Sequence, residues 1–384
     1  MDPLNWIEII GRMAIQFTPT WIGLAVIFAL SIATKKRTGL YGRLFNSTIG
    51  MIGFAIVMFW VLSAIFAELI ITHDPLAQLI GLKNKPPGTP VPNVAGDFYL
   101  LGGDNLARDV FSRLVMGSRR VLTIAPMATL FAFMVGITLG LPAGYFGKKL
   151  DTTLSFLSNL VLAFPVILLF YLLVTPEIRE TGIPVIMAAF LFLFPIIFFV
   201  LLWQSRYYTQ PNHRNLLVGT TLVLGFWAYS GLVFNADPVG VFSMEPNILN
   251  VFVSVVFVNS PTVFRIVRGV TLDIQTRDYV AAAQTRGEKP WYIMLWEILP
   301  NARGPLIVDF CLRIGYTTIL LGTLGFFGLG VSPESPDWGS TINEGRRFLR
   351  AYPHPAMAPA LALMSLVLGL NLLADGLREE SLRD

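Results

Sequence analysis

The residues able to do covalent or metal chemistry are few and far apart. Cys311 is the one cysteine and lies in an apolar stretch, so it reads as a small packing residue and excludes disulfides within the chain. His73, His213 and His354 have no ligand-like spacing, which leaves no metal site to read. Gly147-Lys148 is the pair closest to a phosphate-binding loop, but Pro142 stands where such a loop needs its first glycine and no Ser or Thr follows. Asp309 and Arg313, four apart in an apolar run, suit an ion pair better than a proton relay. No nucleophile–base arrangement suggests a membrane enzyme, and no string of acidic residues marks an ion-coupled carrier.

The remaining chemistry is docking. Asp278–Pro300 reads DYVAAAQTRGEKPWYIMLWEILP, a charged segment between two apolar runs. Ala281 to Ala283 favour helix, and Gly287 followed by Pro290 stops it. Isolated helices below about 12 residues are marginal in water, so this one needs a surface to lie on. A helical wheel groups Tyr279, Val280, Ala282 and Ala283 on one side, with Asp278, Gln284, Thr285 and Glu288 opposite. A solvated linker with one incidental turn is the plainer reading of the same residues.

Composition sets the surroundings. The 384 residues are 54% hydrophobic and 14% charged, with a mean hydropathy of +0.64, far too apolar for a soluble domain. The net charge of +4 does not mark a nucleic-acid partner, because the basic residues are spread over short loops beside apolar runs. A helix needs about 20 residues to cross a bilayer, and apolar runs of that length occur near 15–33, 50–72, 121–145, 152–174, 183–203, 215–234, 248–268, 305–330 and 355–376. The expected fold is all-α, a polytopic membrane protein of about nine spans. Asp2 and Glu8 precede the first span while Lys35, Lys36, Arg37 and Arg43 follow it, which is the reverse of a secretory signal. This places the N-terminus outside and the C-terminus inside, 73–120 outside as a long loop, and Asp278–Pro300 in the cytoplasm. Gly136, Gly140 and Gly144 recur every four residues, and Gly322, Gly325 and Gly328 more loosely, as small-residue stripes for close helix packing, within the chain or between subunits. Pro126, Pro165 and Pro195 fall inside spans and predict kinks.

In Asp278–Pro300, Ala282, Ala283, Gly287, Leu299 and Pro300 match a Glu-Ala-Ala triplet, a following glycine and a distal Leu-Pro, with Ala281 in place of the glutamate. LGGDNLARDVFSR (Leu101–Arg113, with Asp104, Arg108, Asp109 and Arg113), AGYFGKKLD (Ala143–Asp151), LAFP (Leu162–Pro165), FFGLGVSPESPDWG (Phe326–Gly339) and NLLADGLRE (Asn371–Glu379) are further such stretches, in order. On these residues the chain resembles the C-type permease subunits of the binding-protein-dependent ABC importers for dipeptides, oligopeptides and nickel. The resemblance implies the type I ABC importer permease fold, in which a partner permease completes the path and an extracytoplasmic substrate-binding protein delivers solute. Two cytoplasmic ATPase subunits, which carry the ATP and Mg, would dock on the loop at about 272–303, with Asp278, Tyr279, Ala281, Ala282, Ala283, Gly287, Leu299 and Pro300 as coupling residues. It implies no catalysis and no cofactor in this chain, a bacterial inner-membrane location, and peptides as substrate.

Departures are visible too. Gly103 and Ala107 replace the usual Thr and Gly of the first motif. Relatives commonly have six spans, so the expected organisation is an extra helix and basic loop at 1–49, a first core helix and loop at 50–120, and a core at 121–384 with a two-helix insertion at about 183–234. No pathway-lining residue is singled out. The competing reading is a stand-alone secondary transporter or channel for a small solute.

Overall fold

Apolar runs bounded by capping residues become helices along most of the chain, and the computed structural model describes residues 2–92, 94–329 and 335–381. α1 (Trp6–Gln16) starts from a reciprocal capping box, in which the Asn5 side chain accepts from the Glu8 N–H and the Glu8 carboxylate from the Asn5 N–H. α2 (Thr18–Thr34) follows across a 57° bend. α3 (Thr48–Ile65) is capped by Ser47, whose side chain accepts from the Gly50 N–H. α4 (Val110–Phe146) is followed by α5 (Lys148–Leu162) and α6 (Val166–Val174), which meet at 80°. α7 (Ile183–Leu191) and α8 (Leu193–Arg206) continue one another, and α9 (Pro211–Phe234) ends at Asn235 with φ of 54°. Then come α10 (Pro246–Ile274), α11 (Asp278–Thr285), α12 (Arg303–Phe326), α13 (Trp338–Arg346) and α14 (His354–Ser381).

Among the described residues seven helical elements are long and apolar enough to cross a membrane, α3, α4, α7 with α8, α9, α10, α12 and α14, and the bent pairs α1–α2 and α5–α6 bring the number to nine. The run at 152–174, expected as one span, is therefore broken. Pro165 stands at the break, where it cannot donate a backbone hydrogen bond and holds the chain extended before α6. Pro195 lies just past the interruption at Phe192, whereas α4 runs on through Pro126. The long loop also ends earlier than expected. α4 begins at Val110, so Arg113, Arg119 and Arg120 are helical and not loop residues, because Asp109 caps the helix and Arg113 finds buried partners.

Two compact units are present, Met1–Pro126 with Cys311–Asp384, and Met127–Phe310, the division falling inside α4 and α12. In the first, α3 and α14 approach through glycines. A Cβ on Gly53 would lie 2.3 Å from the Leu373 backbone nitrogen, and one on Gly376 would lie 2.4 Å from the Gly50 Cα. Its loop folds around a short antiparallel ribbon, Thr89–Pro90 with Phe98–Tyr99. In the second, α10 is the buried centre, packed against α5, α6 and α7, and a core of Val263, Val267, Ile274, Ile293, Met294 and Ile298 underlies α11.

Candidate functional site

α11 is eight residues long and is ended by its sequence. Gly287, at φ of 79°, takes the left-handed position, its N–H donates to the Gln284 carbonyl (2.9 Å), and the Glu288 N–H donates to the Ala283 carbonyl (3.2 Å). This is a Schellman motif, and it satisfies carbonyls that would otherwise face water. Two side chains three positions apart, Val280 and Ala283, are fully buried, and Gln284 Nε2 donates to the Tyr145 hydroxyl (3.3 Å). Asp278, Ala281, Ala282 and Thr285 form an open row along the outer side. Of the wheel group Tyr279, Val280, Ala282 and Ala283, the structure buries Val280 and Ala283 and leaves Tyr279 and Ala282 exposed. A helix of eight residues lying on a surface buries only the row of side chains that faces it.

Much of that surface is the rest of the same loop. Pro290 opens a turn that passes into a π-helix, Ile293–Ile298, burying Ile293, Met294, Leu295 and Ile298. Pro300 stands two residues past its end; lacking an N–H and crowding the carbonyl four residues back, it disfavours regular α-helical bonding there. Leu299 packs on the core beneath α11, and Pro300 is exposed. Arg286 donates to Glu297 (3.0 Å), tying the end of α11 across to the π-helix.

Sequence reasoning missed what braces this loop. The Trp296 indole donates to Ser205 Oγ (3.1 Å), the Arg206 guanidinium lies 4.6 Å over the Trp296 ring, and the Lys289 ammonium lies 5.5 Å over the Tyr208 ring. The end of α8 therefore holds the loop that carries α11. The visible signal was the run Gln204-Ser205-Arg206-Tyr207-Tyr208, aromatic and basic at the end of an apolar span. The glycine stripe of α4 faces α10, and a Cβ on Gly136, Gly140 or Gly144 would come within 2.5, 2.9 or 2.7 Å of Val263, Val267 or Thr271 side-chain atoms. Asp151 pairs with Arg268 beside it, Nη2 to Oδ2 at 2.7 Å.

In the first unit the motif residues converge on a buried ionic cluster. Asp104 Oδ1 accepts from the Leu106 and Arg108 backbone N–H groups (2.8 and 2.9 Å), and Oδ2 accepts from Arg108 Nε (2.6 Å) with Arg113 Nε at 3.8 Å. Arg108 also donates to Glu344, and Arg113 to the Pro75 and Ser335 carbonyls and the Thr341 hydroxyl. Asp109 caps α4 through the Phe111 and Ser112 N–H groups and accepts from Thr72 Oγ1 (2.9 Å). His73 lies 2.9 Å from Asp97 and 3.4 Å from Asp109; burial disfavours its charged form, but the two carboxylates outweigh it and raise its pKa. Asp104, Arg108, Asp109 and Arg113 are all within 3% of full burial, so they lock the loop to α13 and do not present groups to a ligand. Trp338 donates to the Leu114 carbonyl (2.8 Å) in the same joint. Of the Phe326–Gly339 motif, residues 330–334 lie outside the described residues. Among the described residues no group of His, Cys, Asp or Glu is arranged to hold a metal ion.

Comparison with known proteins agrees with this geometry. The family model described as the binding-protein-dependent transport system inner membrane component matches residues 216–379, from within α9 to α14, and so takes in the α11 loop. A second, the N-terminal TM domain of oligopeptide transport permease C, matches residues 41–87. The glutathione transport system permease protein of Pectobacterium atrosepticum is 31% identical over 281 residues, 73% of this chain and 71% of the relative. The chain belongs to the binding-protein-dependent transport permease family. Two dipeptide transport system permease proteins are similar over more of their length: that of Alkalihalophilus pseudofirmus at 26% over 339 residues (88% of this chain, 87% of the relative) and that of Haemophilus influenzae at 28% over 334 residues (86% and 88%). This permease is thus a helical, multi-pass membrane transport component of the ABC importer class, and its family members are permeases, not enzymes.

Proposed function

We propose that this permease is the path-forming subunit of an ATP-driven importer in a bacterial inner membrane. It pairs with a second, homologous permease, receives solute from an extracytoplasmic binding protein, and docks two ATPase subunits on the cytoplasmic side through α11. ATP and Mg belong to those subunits. The names of the relatives point to dipeptides and glutathione, so peptides are the proposed substrate class. The charge order around the first span supports an outside N-terminus and inside C-terminus.

The observation that carries the reading is the seating of α11: a helix too short to stand alone, buried on its own protein by Val280 and Ala283, with the row Asp278, Ala281, Ala282 and Thr285 open for a partner. Ala281 lacks the carboxylate that relatives place there, and Asp278, one turn earlier in the same row, is the available replacement. Ala282→Asp places a charge in the docking row without touching the permease core. Gly287→Pro removes both the left-handed φ and the N–H that donates to Gln284. Each is expected to abolish peptide uptake while ATP hydrolysis by the assembled complex continues and the permease remains membrane-inserted. Uptake that survives both changes would show that α11 is not the docking element.

A further inference from the structure

The end of α8, the first turn of α9 and the segment after α11 enclose a pocket of about 400 Å³ that transport coupling does not use. Its walls include Gln204 and Tyr208 from one side and Trp291 and Tyr292 from the other, with Arg214 and Lys289 both facing in. Neither cation is matched by a carboxylate among the described residues. Arg214 donates to its neighbour Asn215 (3.2 and 3.1 Å), and Lys289 lies over the Tyr208 ring. Glu288, next to Lys289, lies 4.0 Å from Arg286 and accepts from the hydroxyl of the wall residue Tyr208 (3.5 Å), so it is engaged by groups other than the two cations.

Depth identifies the occupant. α8 and α9 are apolar along their lengths and end at this pocket, which puts it at the membrane boundary. Tyr208, Trp291 and Tyr292 line it with the amphipathic rings that favour headgroup level, and Leu216 and Val223 leave an exposed apolar track along α9 beyond it. Two unneutralised cations with polar and aromatic walls suit a phosphate oxyanion, and the apolar track suits the acyl chains that come with it.

We propose that this pocket binds the headgroup of an anionic phospholipid, with Arg214 and Lys289 holding the phosphodiester. Because Lys289 and Trp291 belong to the α11 loop and Gln204 to α8, the bound lipid cross-links the docking loop to the α8–α9 hairpin. That consequence rests on the docking function proposed above; the binding itself does not.

The test uses the full chain, purified in neutral detergent without ATPase subunits, so loss of docking cannot mimic loss of lipid. Retained lipid is read by native mass spectrometry after exposure to phosphatidylglycerol or phosphatidylcholine. The wild type is expected to retain phosphatidylglycerol selectively, and Arg214→Gln with Lys289→Gln to weaken that retention by about tenfold or more. Arg214→Lys should restore most of it, since the charge returns. Lys148→Gln with Lys149→Gln, which removes the same charge from exposed positions elsewhere, should change nothing. Equal retention of the two lipids, or equal loss in the pocket and control variants, overturns the proposal. Displacement of phosphatidylglycerol by millimolar inorganic phosphate also overturns it, reassigning the pocket to a soluble anion.

Discussion

At the residue scale, the buried charges of the 72–113 segment make the sharpest predictions. His73 is held between Asp97 and Asp109 with its pKa raised above the ordinary value of about 6.5. The folded state therefore favours the proton. Its stabilising contribution is complete below the unfolded pKa and is lost as pH rises through the folded one. The melting temperature of the detergent-solubilised chain should fall as pH rises above the ordinary histidine range, and His73→Gln should flatten that slope. Coincident slopes for wild type and variant would remove His73 from the account. Asp104→Asn removes the carboxylate that both arginines approach, leaving Glu344 to Arg108 alone and Arg113 to neutral acceptors, and breaking a buried pair costs about 3–5 kcal/mol. A denaturation midpoint unchanged by Asp104→Asn would show that the cluster is not what secures the loop. The residue types of this cluster were readable from Leu101–Arg113, but Glu344 was not, because it lies 236 residues from Arg108.

At the element scale, glycine decides how closely helices approach, and the two glycine contacts differ in kind. At Gly322 an added Cβ meets Leu363 Cδ1 at 2.5 Å and its next neighbour, Leu363 Cγ, only at 3.9 Å, a clash that a smaller side chain removes. At Gly53 it meets the Leu373 backbone nitrogen at 2.3 Å, which no substitution can remove. Overpacking of this kind typically costs about 1–3 kcal/mol. Gly322→Ala should therefore be rescued, by unfolding midpoint, when combined with Leu363→Ala, whereas Gly53→Ala should not be rescued by Leu373→Ala. Equal rescue at both sites would contradict the backbone contact between α3 and α14. The stripe in α4 stood out because its spacing is regular; Gly50 and Gly53 pair with Gly369 and Gly376 at irregular spacing on a distant helix, and a scan along the chain does not see such a pairing. Pro165 shows the same limit. Its break was expected as a kink, but only the packing of α5 and α6 on α10 sets the 80°.

At the scale of the whole molecule, the proposed dependence on partner ATPases makes the permease inert alone. Purified and reconstituted by itself it is expected to give no peptide flux under an ion gradient, with flux appearing only when the partner permease, the ATPase subunits and the binding protein are added. Ion-driven flux from the chain alone would support a self-contained carrier instead. The amino-acid sequence by itself determined the apolar helices, the short length of α11 and its glycine stop, because chain hydropathy and capping act over a few turns of local sequence. Only the tertiary structure decided which row of α11 turns inward, that Ser205 and Arg206 hold Trp296, and that Arg214 and Lys289 share one pocket. Those arrangements are set by how helices far apart in the chain pack, since an eight-residue helix carries apolar side chains on more than one side and takes its orientation from the surface that receives it.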